Sequence, residues 1–100
     1  MKDVIDSLIE VNGRKIGNGN TPFIVAEMSG NHNGSINNAF SIIHSAKLCG
    51  ADAVKIQTYT PDTITINCDN PEFIIKEGLW KGRGLYELYK EAHTPWEWHE

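Results

Sequence analysis

The chain is defined first by what it lacks. No unbroken apolar run approaches the length of about 18 residues that reads as a membrane-spanning helix. The opening stretch Met1-Lys2-Asp3-Val4-Ile5-Asp6 places acids where a secretory leader needs an apolar centre. A basic excess is also missing. Nine Lys and Arg stand against 13 Asp and Glu, and a net charge of −4 excludes a surface built to coat nucleic acid. Cysteine is scarce: Cys49 and Cys68 have no metal-ligand spacing, and Cys49, near a helix end, reads as a small core residue rather than a reactive thiol. No internal repeat or low-complexity segment occurs. The remainder, 40% hydrophobic and 22% charged, has the composition of a soluble globular protein, and a reduced, cytoplasmic one is expected.

Local patterning predicts an α/β organisation. Residues 4–20 read as a β-hairpin, with Asn12-Gly13 between Ile9-Glu10-Val11 and Arg14-Lys15-Ile16 as its two-residue turn. Phe23 to Ala26 is a short continuous apolar run, the signature of a parallel strand covered on both faces. A helix is predicted from Ser35, its cap, to about Leu48. Ile36, Ala39, Phe40, Ile43, Ala46 and Cys49 form its buried stripe, and Gly50 closes it. Ala53 to Ile56 follows as a second strand, parallel and adjacent to the first.

Residues 60–84 read as a long loop with a short strand or turn at Thr63-Ile64-Thr65-Ile66. Gly84 opens a helix with Leu85, Leu88, Tyr89 and Ala92 on one face. Thr94-Pro95-Trp96-Glu97 reads as a further helix start, with Thr94 as cap and Glu97 completing a capping box. Two strands cannot bury both their faces, so these residues are expected to be the N-terminal part of a longer α/β protein, with a hairpin over 1–20 and the first β/α units over 21–100.

Parallel α/β proteins build their sites at the carboxyl ends of strands. Glu27 stands there after four apolar residues. Its carboxylate could act as a base, bind a substrate group or hold a cation, or simply organise the loop through backbone N–H groups. Lys55 lies between Val54 and Ile56 and calls for an anion: a phosphate, a carboxylate, a Schiff-base partner, or Glu27 itself in a structural ion pair. Gln57 alternates with Lys55 and is expected on the same side, so that Glu27, Lys55 and Gln57 converge. The loop Asn31-His32-Asn33-Gly34 could receive an anion at the following helix, or be a turn whose Asn side chains satisfy backbone groups. His32 lacks the partners a metal ligand needs. His44, His93 and His99 read as surface or capping residues, and Trp80, Trp96 and Trp98 as packing.

Ala26-Glu27-Met28-Ser29-Gly30-Asn31-His32-Asn33-Gly34, followed one helix later by Gly50-Ala51-Asp52-Ala53-Val54-Lys55-Ile56-Gln57-Thr58, resembles the sialic acid synthase family. Leu79-Trp80-Lys81-Gly82, Leu85-Tyr86-Glu87-Leu88-Tyr89 and Thr94-Pro95-Trp96-Glu97-Trp98 resemble its pseudaminic acid synthase branch in particular, with an N-acetylneuraminate or legionaminate synthase as the alternative. The resemblance implies the N-terminal portion of a TIM (β/α)8 barrel, followed in the family by a small antifreeze-like domain and assembled as a homodimer. It implies condensation of phosphoenolpyruvate with an amino sugar aldehyde, with phosphate released by C–O cleavage. It makes Lys55 a phosphoenolpyruvate ligand, sets Glu27 beside the phosphoenolpyruvate carbons as the group handling water or a proton, and brings Gln57 toward the sugar. A divalent manganese or magnesium ion belongs to the family, with ligands on later barrel strands, so none of the four histidines here inherits that role. The fragment alone is expected to be inactive. The reading that competes from another class is a non-catalytic α/β binding module.

Overall fold

The computed structural model describes residues 8–100. Their elements run β1 (Ile9–Val11), β2 (Arg14–Ile16), β3 (Val25–Glu27), α1 (Ile36–Leu48), β4 (Ala53–Lys55), α2 (Pro61–Ile64) and α3 (Leu85–Ala92). Single 3-10 turns lie at Pro71–Phe73 and Trp96–His99. The protein is a mixed α/β chain with two small sheets.

β1 and β2 form the expected hairpin, with Ile9 opposite Ile16 and Val11 opposite Arg14. Asn12 and Gly13 have φ of 50° and 81°, the doubly left-handed turn whose twist matches that of two antiparallel strands. The part of the predicted hairpin before Leu8 lies outside the described residues.

β3 and β4 pair in parallel with α1 between them, as two apolar runs separated by one amphipathic helix require. Their bounds differ from the prediction: β3 starts at Val25 and takes in Glu27, and β4 ends at Lys55. Asp52 and Ala53 donate to the Ile24 carbonyl at 2.8 and 3.2 Å, and the register pairs Val25 with Ala53 and Ala26 with Val54. Ser35 caps α1 by accepting from the Asn38 N–H at 3.3 Å, an arrangement worth about 1 kcal/mol. Gly50 follows the helix at φ 94°.

Burial departs from expectation. Of the α1 stripe only Ala39 is buried, Phe40 is 60% exposed, and Cys49 is exposed rather than a core residue. Ile24 and Val25 are half-exposed, so β3 is not covered on both faces. The stripe does face the sheet, since Ile36, Ala39 and Ile43 border a small cavity with Met28, Ile56 and Trp98. A two-stranded sheet is simply too narrow to cover a helix of 13 residues. The radius of gyration is 18.2 Å, against about 13 Å for a compact domain of 100 residues.

Two further expectations are resolved. Of the short strand or turn expected at Thr63 to Ile66, a helical turn forms and no strand does. Pro61 at the first helical position and Thr60 ahead of it start α2 instead, and Thr63 Oγ1 both accepts from the Thr60 N–H at 3.2 Å and donates to its carbonyl at 2.7 Å. Thr94 does not cap a helix either. Its Oγ1 is buried without a partner among the described residues, Pro95 takes the position before the turn, and the turn is 3-10. The loop between α2 and α3 folds back on itself through an antiparallel bridge of Ile74 with Gly84. α3 follows as predicted, tied to α2 by the Tyr86 hydroxyl donating to Asp62 at 3.2 Å.

Candidate functional site

The parallel register places the two charged residues of interest side by side. Glu27 is the Cα partner of Lys55, and each is the last residue of its strand. Registered residues of a parallel pair project from the same face, and Lys55 Nζ lies 3.4 Å from Glu27 Oε1. The ladder runs one bond further, with the Met28 N–H donating to the Lys55 carbonyl at 3.0 Å.

Lys55 lies between two apolar residues, yet it is not shielded by them. Its side chain is 56% exposed and that of Glu27 is 61% exposed, because nothing among the described residues covers that face. An ion pair so exposed contributes about 0–1 kcal/mol. It is therefore a weak structural device, and both groups are open to a ligand.

Gln57 lies two residues beyond the end of β4, where strand alternation no longer fixes the direction of its side chain. That side chain is exposed and makes no hydrogen bond among the described residues. Its carbonyl accepts from the Thr94 N–H at 2.8 Å, a link that no motif or periodicity foreshadows. The structure thus brings Glu27 and Lys55 together and ties Gln57 to the segment after α3. A cleft of about 480 Å³ opens beyond β4 between Tyr59, Thr63, His93 and Trp96, and neither Glu27 nor Lys55 lines it.

The loop after β3 is organised by its own side chains, as the turn reading of its asparagines had it. The Met28 carbonyl accepts from both the backbone N–H and the side-chain amide of Asn31, at 3.1 and 2.8 Å. The Asn38 amide donates to the His32 carbonyl at 3.2 Å. His32 is fully buried, which the sequence reading missed. Its Nδ1 accepts from the Gly34 N–H at 3.0 Å, and its ring meets Trp98 edge-on with centroids 4.9 Å apart. Burial, then the neighbouring His93, hold its pKa below the usual value of 6.5, partly offset by the Ala92 carbonyl beside the ring. The ring is therefore neutral at neutral pH. Of the other two tryptophans read as packing, Trp96 is 75% exposed and Trp80 about half-exposed.

A second unforeseen cluster sits at the amino ends of the same strands. Asp52 Oδ2 accepts from the Ile24 N–H at 2.8 Å, while Oδ1 pairs with Arg14. Arg14 also donates to the Pro22 carbonyl at 3.2 Å and lies over the Phe23 ring. The Ile24 N–H, then the Arg14 guanidinium, hold the Asp52 carboxyl below its usual range. This cluster ties the hairpin to the strand ends opposite Glu27 and Lys55.

No group of three or more metal-ligating side chains comes together among the described residues, so they do not by themselves form a metal site. No helix among them is long and apolar enough to cross a membrane.

Comparison with known proteins fits this geometry. A pseudaminic acid synthase of Campylobacter jejuni is 59% identical over 88 residues, covering 85% of this chain and 26% of that protein. A pseudaminic acid synthase of Helicobacter pylori is 53% identical over 78 residues, 78% of this chain and 23% of that protein. An N,N'-diacetyllegionaminic acid synthase of Legionella pneumophila is 46% identical over 91 residues, 90% of this chain and 26% of that protein. The chain thus spans about a quarter of the length of these relatives. The model of the NeuB family matches residues 42–100, more than half of the sequence, and the chain belongs to that family.

Proposed function

We propose that this chain supplies the phosphoenolpyruvate-handling strands of a nonulosonic acid synthase of the pseudaminic acid type. The observation that carries the reading is the registered Glu27–Lys55 pair, 3.4 Å apart at the carboxyl ends of two parallel strands and open to a ligand. An incoming phosphoenolpyruvate carries the negative charge that the Lys55 ammonium now draws from Glu27, and it exchanges one partner for another at little cost. Glu27, released but adjacent, stands where a carboxylate can orient water or accept its proton. The reaction joins C3 of phosphoenolpyruvate to the aldehyde carbon of a 2,4-diacetamido-trideoxy-hexose, adds water at C2 and expels phosphate with the former enol oxygen. Gln57, just beyond Lys55, is assigned to the sugar side.

In this reading β3, α1 and β4 are the first units of a TIM barrel, with the hairpin of residues 1–20 against its amino end and residues 21–100 inside the barrel domain. A second, antifreeze-like domain, homodimer assembly and a cytoplasmic setting complete it. A manganese or magnesium ion belongs to the reading as well. Its ligands are assigned to later barrel strands, and no step is derived through it. The match to the NeuB family and the 59% identity to a pseudaminic acid synthase favour this over a non-catalytic module.

The test is a chimera in which residues 8–100 replace the stretch they match in the Campylobacter jejuni relative. Phosphate release that requires both phosphoenolpyruvate and the diacetamido sugar is expected. A folded chimera that releases none would remove the proposal.

A further inference from the structure

His32 is the most completely buried polar side chain among the described residues, and it does not touch the Glu27–Lys55 pair. A bland account treats it as core filling. Two observations go beyond that. First, its nitrogens are unequally used: Nδ1 accepts from the Gly34 N–H, so the neutral ring carries its proton on Nε2, which is buried without a hydrogen-bond partner although the Ala92 carbonyl lies beside the ring. A phenyl ring would fill the space but accept nothing from the Gly34 N–H, so the ring does more than fill.

Second, both strand-end loops close onto the same short segment after α3. His32, five residues after Glu27, meets Trp98, and Gln57, two residues after Lys55, accepts from Thr94. Gly30 packs so closely on Ala92 that a Cβ there would lie 3.0 Å from the Ala92 Cβ. A continuous chain of contacts therefore leads from the ring to the pair. Gly34 and Trp98 hold His32, Asn31 beside it holds the Met28 carbonyl twice, and the Met28 N–H closes the last ladder bond to Lys55.

We propose that His32 is a positioning residue, which fixes the strand-end ladder and with it the spacing of Glu27 and Lys55 by clamping the 28–34 loop onto the segment from Ala92 to Trp98. It rests on the reading that Glu27 and Lys55 handle phosphoenolpyruvate. The ring acts through the backbone and makes no contact with substrate.

The test uses the chimera with His32→Phe and His32→Asn. Phenylalanine keeps a ring against Trp98 but accepts nothing from Gly34, whereas asparagine can place its amide oxygen near the Nδ1 position and keep that acceptor. Amide exchange at Gly34 and Met28 is read beside kcat and KM for phosphoenolpyruvate. With His32→Phe, exchange at both amides should accelerate at least tenfold while β3 and β4 upstream stay protected. In the same variant kcat should fall about 10- to 100-fold, as a misplaced reacting group does, with KM within about twofold. His32→Asn should restore Gly34 protection and most of kcat. Unchanged Met28 exchange in His32→Phe, or altered exchange with unchanged kcat, overturns the proposal. So does a loss of kcat that His32→Asn shares in full while protecting Gly34. If His32→Phe does not fold, His32→Asn decides: poor Gly34 protection or low kcat in it counts against the clamp. A parent chimera that does not turn over removes the functional reading instead, and the Met28 exchange then decides alone whether His32 holds the strand ends.

Discussion

Glu27 and Lys55 are registered partners across a parallel strand pair, each at the carboxyl end of its strand, with 3.4 Å between carboxylate and ammonium. More than half of each side chain is open to solvent. The pair is charged and adjacent, and among the described residues nothing else competes for either group.

The first expectation follows from that exposure. Glu27→Gln in the chimera should change unfolding free energy by about 1 kcal/mol or less, as measured by urea denaturation. A loss of several kcal/mol would make the pair a structural clamp.

The hairpin clasp should be acid-sensitive. The Asp52 carboxyl is held below its usual value of 3.8 by the Ile24 N–H and Arg14. Its contribution to stability is therefore complete above about pH 4 and lost as pH falls through the depressed folded value. Asp52→Asn should flatten this acid limb. Amide exchange at Ile24 between pH 5 and pH 2.5 reads it directly, and an identical limb in parent and variant would contradict the assignment.

His32 contributes in a different window with the same sign. Its folded pKa lies below 6.5, so the folded state favours the neutral ring. That stability is complete above about pH 6.5 and declines as pH falls below it. Protonation also removes the Nδ1 acceptor from the Gly34 N–H. Histidine ring NMR of the chimera should give His32 a lower titration midpoint when folded than when unfolded in urea, and an equal or higher folded midpoint would be inconsistent with its burial.

Much of this architecture was legible because its determinants are local. Asn12-Gly13 specifies its turn, Ser35 and Gly50 bracket α1, and two apolar runs with a helix between them imply a parallel pair. What was left open or missed has physical causes. Thr63 to Ile66 reads as strand or turn on side-chain shape, and Pro61 with the reciprocal bonds of Thr60 and Thr63 decides for a helical turn. Thr94 looks like a cap, yet its hydroxyl is buried and its N–H is committed to Gln57. Arg14 and Asp52 are 38 residues apart, and no periodicity links them. The exposure of Lys55, Phe40 and Cys49 depends on what covers a sheet face or a helix stripe, which a one-dimensional pattern does not state. Motif wording located Glu27 and Lys55, and only geometry showed that they touch.

Gly30→Ala tests the packing behind the loop. The added methyl would meet the Cβ, carbonyl oxygen and Cα of Ala92 at 3.0, 3.2 and 3.3 Å. Two of those atoms are backbone and cannot rotate away, so overpacking of about 1–3 kcal/mol is expected. Ala92→Gly should recover only part of it. Thermal denaturation of the single and double variants makes the comparison, and a neutral Gly30→Ala would show that the loop is not seated on α3.

The 100-residue chain alone should be marginal. Met28, Ala39 and Pro61 are the only buried apolar residues among those described, while Phe40, Leu48, Leu79 and Trp96 are 60–87% exposed. Strong binding of a hydrophobic dye and concentration-dependent association in light scattering are expected. A sharp cooperative melt of a monomer would go against this.

The central claim, that Lys55 receives phosphoenolpyruvate, is tested most directly by steady-state kinetics of the chimera with Lys55→Ala, phosphoenolpyruvate being varied at saturating sugar and metal. Losing one charge-assisted contact at a half-exposed position costs about 1.5–3 kcal/mol, or roughly 10- to 150-fold in kcat/KM for phosphoenolpyruvate. Circular dichroism should be unchanged, and Lys55→Arg should recover little, because a planar fork does not replace a compact ammonium. Kinetics equal to the parent's in a folded Lys55→Ala chimera would contradict the account and return the Glu27–Lys55 pair to a surface ion pair without function.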